Sequence, residues 1–193
     1  MVWDYRNQPA LNDPVDVVDY DPGWGEVFQR ERMRVSAALG RVAVGIEHVG
    51  STAVPGLAAK PVLDILVGAH PFPLCEDKFA CLGALGYEYR GARGLGLGQF
   101  FRTNPRNRHL RVVTFDGEEW RTCLLFRDYL RAHSGIAEDY AALKRELARQ
   151  HRYDRGRYGD GKDAFIRAIL RQAAAELGTI QSPPSLGSAH RCS

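Results

Sequence analysis

Residues 47–67 read EHVGSTAVPGLAAKPVLDILV, and the order of parts in this stretch decides the fold. The apolar run Val42–Ile46 leads into Glu47-His48-Val49, and Gly50-Ser51 then permits a tight turn from a strand into a helix. A segment of small residues with Pro55 and Gly56 follows. Lys60-Pro61 opens a second apolar run, Val62–Val67, interrupted by one carboxylate, Asp64. An acid inside a buried strand needs a partner, because an unpaired buried charge is costly. Gly50 and Ser51 offer backbone N–H groups and a hydroxyl beside the expected helix start, a setting that suits a phosphate. Asp64 offers the hard oxygen ligand for the metal that accompanies such a phosphate.

Working outward, residues 1–16 are polar, with Pro9 and Pro14, and read as a flexible N-terminal arm. Val15–Tyr20 has the composition of a short edge strand, and Asp21-Pro22-Gly23 is a turn. From Trp24 to Leu39 the apolar residues fall on one helical face, and Gly40 stops the helix. Val42–Val49 and Val62–Val67 are the two central strands. Leu74–Leu85 reads as a helix and Tyr87–Tyr89 as a short strand. Gly91–Gly98 holds four glycines and reads as a mobile hairpin. Gln99–Arg102 and His109–Phe115 are strands joined by a polar loop. After Asp116-Gly117 the pattern becomes helical, over about 118–133, 136–151 and 162–177, with Ser134 as the N-cap of the second helix. Residues 178–193, rich in Ser, Pro and Gly, read as a disordered tail. The pattern is α+β: a mixed β-sheet flanked by helices, with C-terminal helices, in one domain over 17–177.

Composition narrows the function classes. A hydrophobic fraction of 45% is enough for a core, and a net charge of +3 permits anion binding without arguing for nucleic acid. The basic residues are scattered rather than gathered into a stripe with aromatics, so nucleic acid is not the expected partner. No run has the length of a membrane span, and MVWDYRNQPA has no signal-peptide pattern. The four cysteines have no CxxC spacing, which excludes the usual zinc and redox motifs. A reduced, cytoplasmic protein with no membrane association is expected.

A resemblance adds to these readings. Gly50-Ser51, a spacer and an acid in an apolar strand look like the signature of the nucleotidyltransferase superfamily. The longer string from Glu47 to Leu57, followed by Lys60-Pro61 and Asp64, resembles the GrpB family. Tyr20-Asp21-Pro22, Arg108-His109-Leu110, Phe126-Arg127-Asp128-Tyr129-Leu130, Lys144, Tyr158 and Lys162-Asp163-Ala164-Phe165-Ile166 agree with it. The resemblance spans residues 17–175. It implies a nucleotidyltransferase-like sheet and transfer of a nucleotidyl group from an NTP co-substrate to an unidentified small-molecule acceptor, with Mg2+ or Mn2+ as cofactor. It also implies an alternative, a non-catalytic nucleotide-binding or chaperone-like module, because related domains occur fused to dephospho-CoA kinase.

The candidate residues follow. Gly50 and Ser51 would hold the phosphate tail. Asp64 would hold the metal, or else be a structural partner of Ser51 or Lys60. Superfamily members carry two acids two residues apart on this strand, and here the second position is Leu66. On the strand after the polar loop, His109, Arg111 and Val113 share a face. His109 would ligate metal or act as a general base, and Arg111 would meet phosphate charge. Lys60, Arg127 and Lys162 are expected to bind the nucleotide. Glu47 and His48 must point to opposite faces of their strand.

Overall fold

The computed structural model describes residues 14–93 and 98–181. Helix α1 (Gly23–Leu39) leads into strand β1 (Ala43–Val49), and β2 (Leu63–Ala69) follows after the Gly50–Val62 connection. Helix α2 (Glu76–Ala84) precedes β3 (Tyr87–Arg93), β4 (Gly98–Thr103) and β5 (Arg108–Thr114). Four helices follow among the described residues: α3 (Glu118–Ala132), α4 (Ser134–Gln150), α5 (Arg155–Asp160) and α6 (Asp163–Gln181).

The strands form one sheet in the order β1-β2-β5-β4-β3. Only β2 and β5 run parallel; the other neighbours are antiparallel. The sheet is mixed because the return from β2 to β5 passes through α2 and the β3–β4 hairpin, a crossover long enough for parallel pairing. The fold is therefore α+β, a five-stranded mixed sheet flanked by helices.

Alternation along the strands sorts the two faces. Leu63, Ile65 and Val67 of β2 join Leu110 and Val112 of β5 under Phe28, Val35 and Leu39 of α1 and Leu82 of α2. On the other face Val49, Leu66 and Val113 pack against Trp120 and Cys123 of α3. Gly45 and Gly68 let α3 approach here, since a Cβ on either would fall within 3 Å of the Trp120 ring. Beyond α3, Leu130, Tyr140, Ala141 and Ile166 pack on Val54, Leu57 and Ala58. The last helices thus lean over the strand ends that carry Gly50 and Asp64.

Several expected boundaries move. The first helix begins at Gly23, and Gly40 ends it with φ 62°, a conformation glycine takes without strain. The edge strand expected over Val15–Tyr20 is a single bridge, Val18 to Ala59. Residues 1–13 of the expected arm lie outside the described residues, but Val15 is buried against Leu147, Ala148 and Tyr158, and its N–H donates to the Arg152 carbonyl at 2.7 Å. The glycine-rich segment enters β3 and β4 at its two ends, and residues 94–97 lie outside the described residues. Ser134 is the first residue of α4 rather than its cap: α3 and α4 abut, and His133 holds the cap position without a side-chain bond. Helix α6 runs to Gln181, past the expected start of the tail at residue 178; residues 182–193 lie outside the described residues.

Candidate functional site

The site grows from the pairing of β2 with β5. Parallel register sets Asp64 beside His109 and Leu66 beside Arg111, all on the α3 face. The His109 Nδ1–H donates to Asp64 Oδ1 at 3.1 Å. Asp64 therefore has a partner, and it is neither Ser51 nor Lys60. Burial raises the Asp64 carboxyl pKa, but the His109 bond and the charges of Lys60 and Lys162 outweigh that and hold it below its ordinary value. Burial holds His109 below the ordinary imidazole value against the pull of Asp64, so the ring is neutral near pH 7. Its Nε2 is buried with no hydrogen-bond partner among the described residues, and its edge meets Phe100 at 5.3 Å between ring centroids.

Gly50 sits over this pair. Its φ is +72°, and a Cβ there would lie 3.0 Å from Asp64 Cβ and closer still to Oδ2. Only glycine meets both demands. The expected helix start does not form. Ser51–Ala53 is one 3-10 turn, closed by bonds from Ala53 N–H to Gly50 O and from Val54 N–H to Ser51 O. Pro55 and Gly56 follow, so no helix dipole is aimed at a phosphate. Charge comes instead from the far end of the chain.

A cavity of about 140 Å³ opens between the sheet and the last helices. Gly50, Ser51, Lys60, Asp64, His109, Arg111 and Lys162 all line it. So do Arg106 from the β4–β5 loop, Lys144 from α4, and Arg155 and Tyr158 from α5. Lys144 is 2% exposed; its Nζ donates to Ser51 Oγ at 2.9 Å and to the Ala58 carbonyl, and it lies over the Tyr140 ring. Lys60 and Lys162 face the Tyr158 ring, at 5.4 and 4.5 Å from its centroid. Burial and neighbouring cations lower both Lys60 and Lys144 to about 7. Among the described residues lining the cavity, six are lysine or arginine and one, Asp64, is acidic. Val49, Cys123, Phe126, Tyr140, Ile166 and Leu170 add an apolar part to the lining.

Two candidates have other duties. The Arg111 Nη1 is bound at 2.5 Å by Glu119 of α3, which is itself buried, so this guanidinium already has a counter-charge. Arg127 is not on the cavity wall. It donates to Glu47 Oε2 at 2.6 Å and to the His48 carbonyl at 3.1 Å, bracing the turn from behind, while Arg131 donates twice to the Ala53 carbonyl. Glu47 thus faces α3, and His48 faces α1, where its ring stacks on Phe28 and pairs with Thr52 Oγ1 at 2.9 Å.

The residues present do not fit a resident pair of metal ions. Leu66 holds the second acid position inside an apolar cluster and is fully buried. The other acids on this face, Glu47 and Glu119, are engaged by Arg127 and Arg111. Among the described residues no group of three His, Cys, Asp or Glu side chains converges. The arrangement fits a single hard cation delivered with a phosphate chain and met by Asp64 alone, a sparse ligation that magnesium accepts.

Arg106, Lys144, Arg155 and Glu119 were not singled out as site residues from the sequence. Some signal was present: Arg155, Tyr158 and Lys162 are spaced for one helical face, and Tyr140 and Lys144 are four apart. Nothing in the sequence shows which way those faces turn.

Comparison with known proteins agrees with the architecture. Residues 14–172 match the family described as GrpB protein. A UPF0157 protein of Streptomyces coelicolor is 40% identical over 161 residues, covering 83% of this chain and 85% of that protein. The UPF0157 protein YqkA of Bacillus subtilis is 35% identical over 82% of this chain, which spans only 47% of its length. Dephospho-CoA kinase of Mycobacterium bovis is 29% identical over 89% of this chain and 51% of its own. Among solved structures, conserved protein GrpB from Enterococcus faecalis superposes with a TM-score of 0.76 at 36% identity, covering 84% of this chain and 99% of that one. The GLD-2/RNP-8 complex gives 0.54 at 12% identity, covering 91% of this chain and 74% of that one, a likeness of fold alone.

Proposed function

This chain belongs to the GrpB family, and from that premise we propose that it is a nucleotidyltransferase-like protein that binds a nucleoside triphosphate and passes a nucleotidyl group to a small-molecule acceptor. The observation that carries the reading is the charge of the cavity: six basic side chains line it with one acid, and of these Arg111 is already met by Glu119. Buried lysines brought down to about 7 are lysines short of counter-charge, and a polyphosphate supplies it. Nucleotidyl transfer asks mainly for positioning and for charge stabilisation as the leaving group departs. Lys60, Lys144, Arg155 and Lys162 provide that charge. Ser51 is set by Lys144 at the mouth of the turn, and Asp64 and His109 stand where a reacting phosphorus would lie between sheet and helices. Magnesium or manganese, when bound with the nucleotide, neutralises phosphate charge next to Asp64.

A thermal-shift titration tests this, since a ligand bound only by the folded state raises apparent stability. Each of the four common ribonucleoside triphosphates is added with magnesium, manganese or a chelator. Stabilisation is expected, with Ser51→Ala weakening it and Lys144→Met weakening it further. If no nucleotide moves the melting temperature under any of these conditions, the reading is wrong. Leu66 favours a second reading, a non-catalytic binding module, which predicts the same stabilisation without turnover.

A further inference from the structure

His109 is arranged as a nucleophile. Its Nδ1–H is committed to Asp64 Oδ1 at 3.1 Å, so in the neutral ring the lone pair is on Nε2. That nitrogen is buried without a hydrogen-bond partner among the described residues, and the ring lines the cavity. A buried lone pair with nothing to accept is costly unless a ligand uses it. The carboxylate behind the ring fixes its orientation and stabilises the cation that forms when Nε2 makes a bond, the role a carboxylate plays behind a catalytic imidazole elsewhere.

We propose that His109 Nε2 carries the nucleotidyl group as a covalent intermediate; this rests on the nucleotide-binding reading above. In the first step the Nε2 lone pair attacks the α-phosphorus. The P–N bond forms, the bond from that phosphorus to the bridging oxygen breaks, and pyrophosphate leaves with the electron pair, held by the cavity lysines. The imidazolium keeps its Nδ1–H on Asp64. In the second step an acceptor hydroxyl attacks the phosphorus, the P–N electrons return to Nε2, and the hydroxyl proton passes to solvent. Asp64 is then a positioning residue, and the loss of an acid at position 66 is tolerated because covalent catalysis splits one hard step into two easier ones.

The test uses the full chain with ATP labelled at the α-phosphorus and magnesium, without acceptor, and then the other three triphosphates. The expected result is label on the protein that is acid-labile and base-stable, mapped by peptide mass spectrometry to His109, together with exchange of labelled pyrophosphate into ATP. His109→Gln is expected to lose label and exchange while nucleotides still raise its melting temperature. Asp64→Asn is expected to slow labelling by about tenfold or more, about 1.4 kcal/mol of barrier. Nucleotide-induced stabilisation with neither label nor exchange would overturn the covalent step and leave the binding reading standing. Label at another residue, or label that comes only from the γ-phosphorus, would also overturn it. If no triphosphate binds, both proposals fall.

Discussion

Gly50 shows how much one residue decides. With φ 72° and ψ −173° its backbone lies in a region essentially reserved for glycine, which disfavours any other residue by about 1–3 kcal/mol, and a Cβ would also press on Asp64. Gly50→Ala is expected to lower stability by more than the backbone cost and to abolish nucleotide-induced stabilisation. Chemical denaturation of Gly50→Ala, Asp64→Gly and the double variant separates the two parts. The double variant should recover the contact cost but not the backbone cost, and strict additivity would mean that the carboxylate is not underneath. That Gly50, Ser51, Asp64 and His109 stand out was legible in the sequence, because each is a residue type out of keeping with an apolar strand or its turn, and all four line the cavity. Their mutual arrangement was not: Asp64 pairs with His109 by strand register, and register between segments 45 residues apart leaves no local mark.

At the scale of elements, the sheet face under α3 holds a buried ion pair next to a buried leucine. Leu66 and Arg111 are register neighbours, and Arg111 turns to Glu119. Leu66→Asp removes a packed leucine, a loss of about 2–5 kcal/mol on its own, and adds a carboxylate in an apolar cluster. Adding Glu119→Gln releases Arg111 to pair with the new acid, so the double variant is expected to be more stable than Leu66→Asp alone. Melting curves of the two decide it; equal or worse stability in the double variant would place Arg111 out of reach. The helices and strands themselves were legible from periodicity to within a few residues. The helix expected after Gly50 was one exception, beside the edge strand expected over Val15–Tyr20 and the unforeseen α5; it fails because Thr52 and Val54 are weak helix formers and Pro55-Gly56 allows only a single turn. Glu31 was also missed: on a helix full of arginines it reads as a solvated acid, yet it is buried, bound to Tyr87 and Arg34 and paired with Arg108.

For the whole molecule, the buried lysines link stability to pH. Lys144 titrates at about 7 in the folded state and near 10.5 when exposed. Between those values the unfolded chain holds a proton that the folded chain has released, so stability rises with pH across that window. Below about pH 7 the charge is present in both states and its burial penalty is felt in full. The ligand-free protein is therefore expected to gain stability from pH 6 to pH 9 relative to Lys144→Met, and triphosphate should stabilise most at pH 6. Identical pH slopes in parent and variant would show that Lys144 keeps its proton. Removing α6 tests the annex in another way. Without residues 163–193 the faces of Leu130, Tyr129 and Tyr140 that meet Ile166, Ile169 and Phe165 are open, and aggregation is expected; a truncated chain that stays monomeric in light scattering and melts cooperatively would show that α6 is dispensable. The layout also orders events during synthesis. The sheet is complete at Thr114, whereas Lys144 and Arg155 lie on α4 and α5 and Lys162 on the turn before α6. Val15, among the first described residues to leave the ribosome, waits for the Arg152 carbonyl and the walls of α4 and α5. A nascent chain thus carries its aspartate–histidine pair uncovered and without the charges that would hold a polyphosphate. On the function proposed above, nucleotide capture waits until the segment at Val15 has packed against α4 and α5.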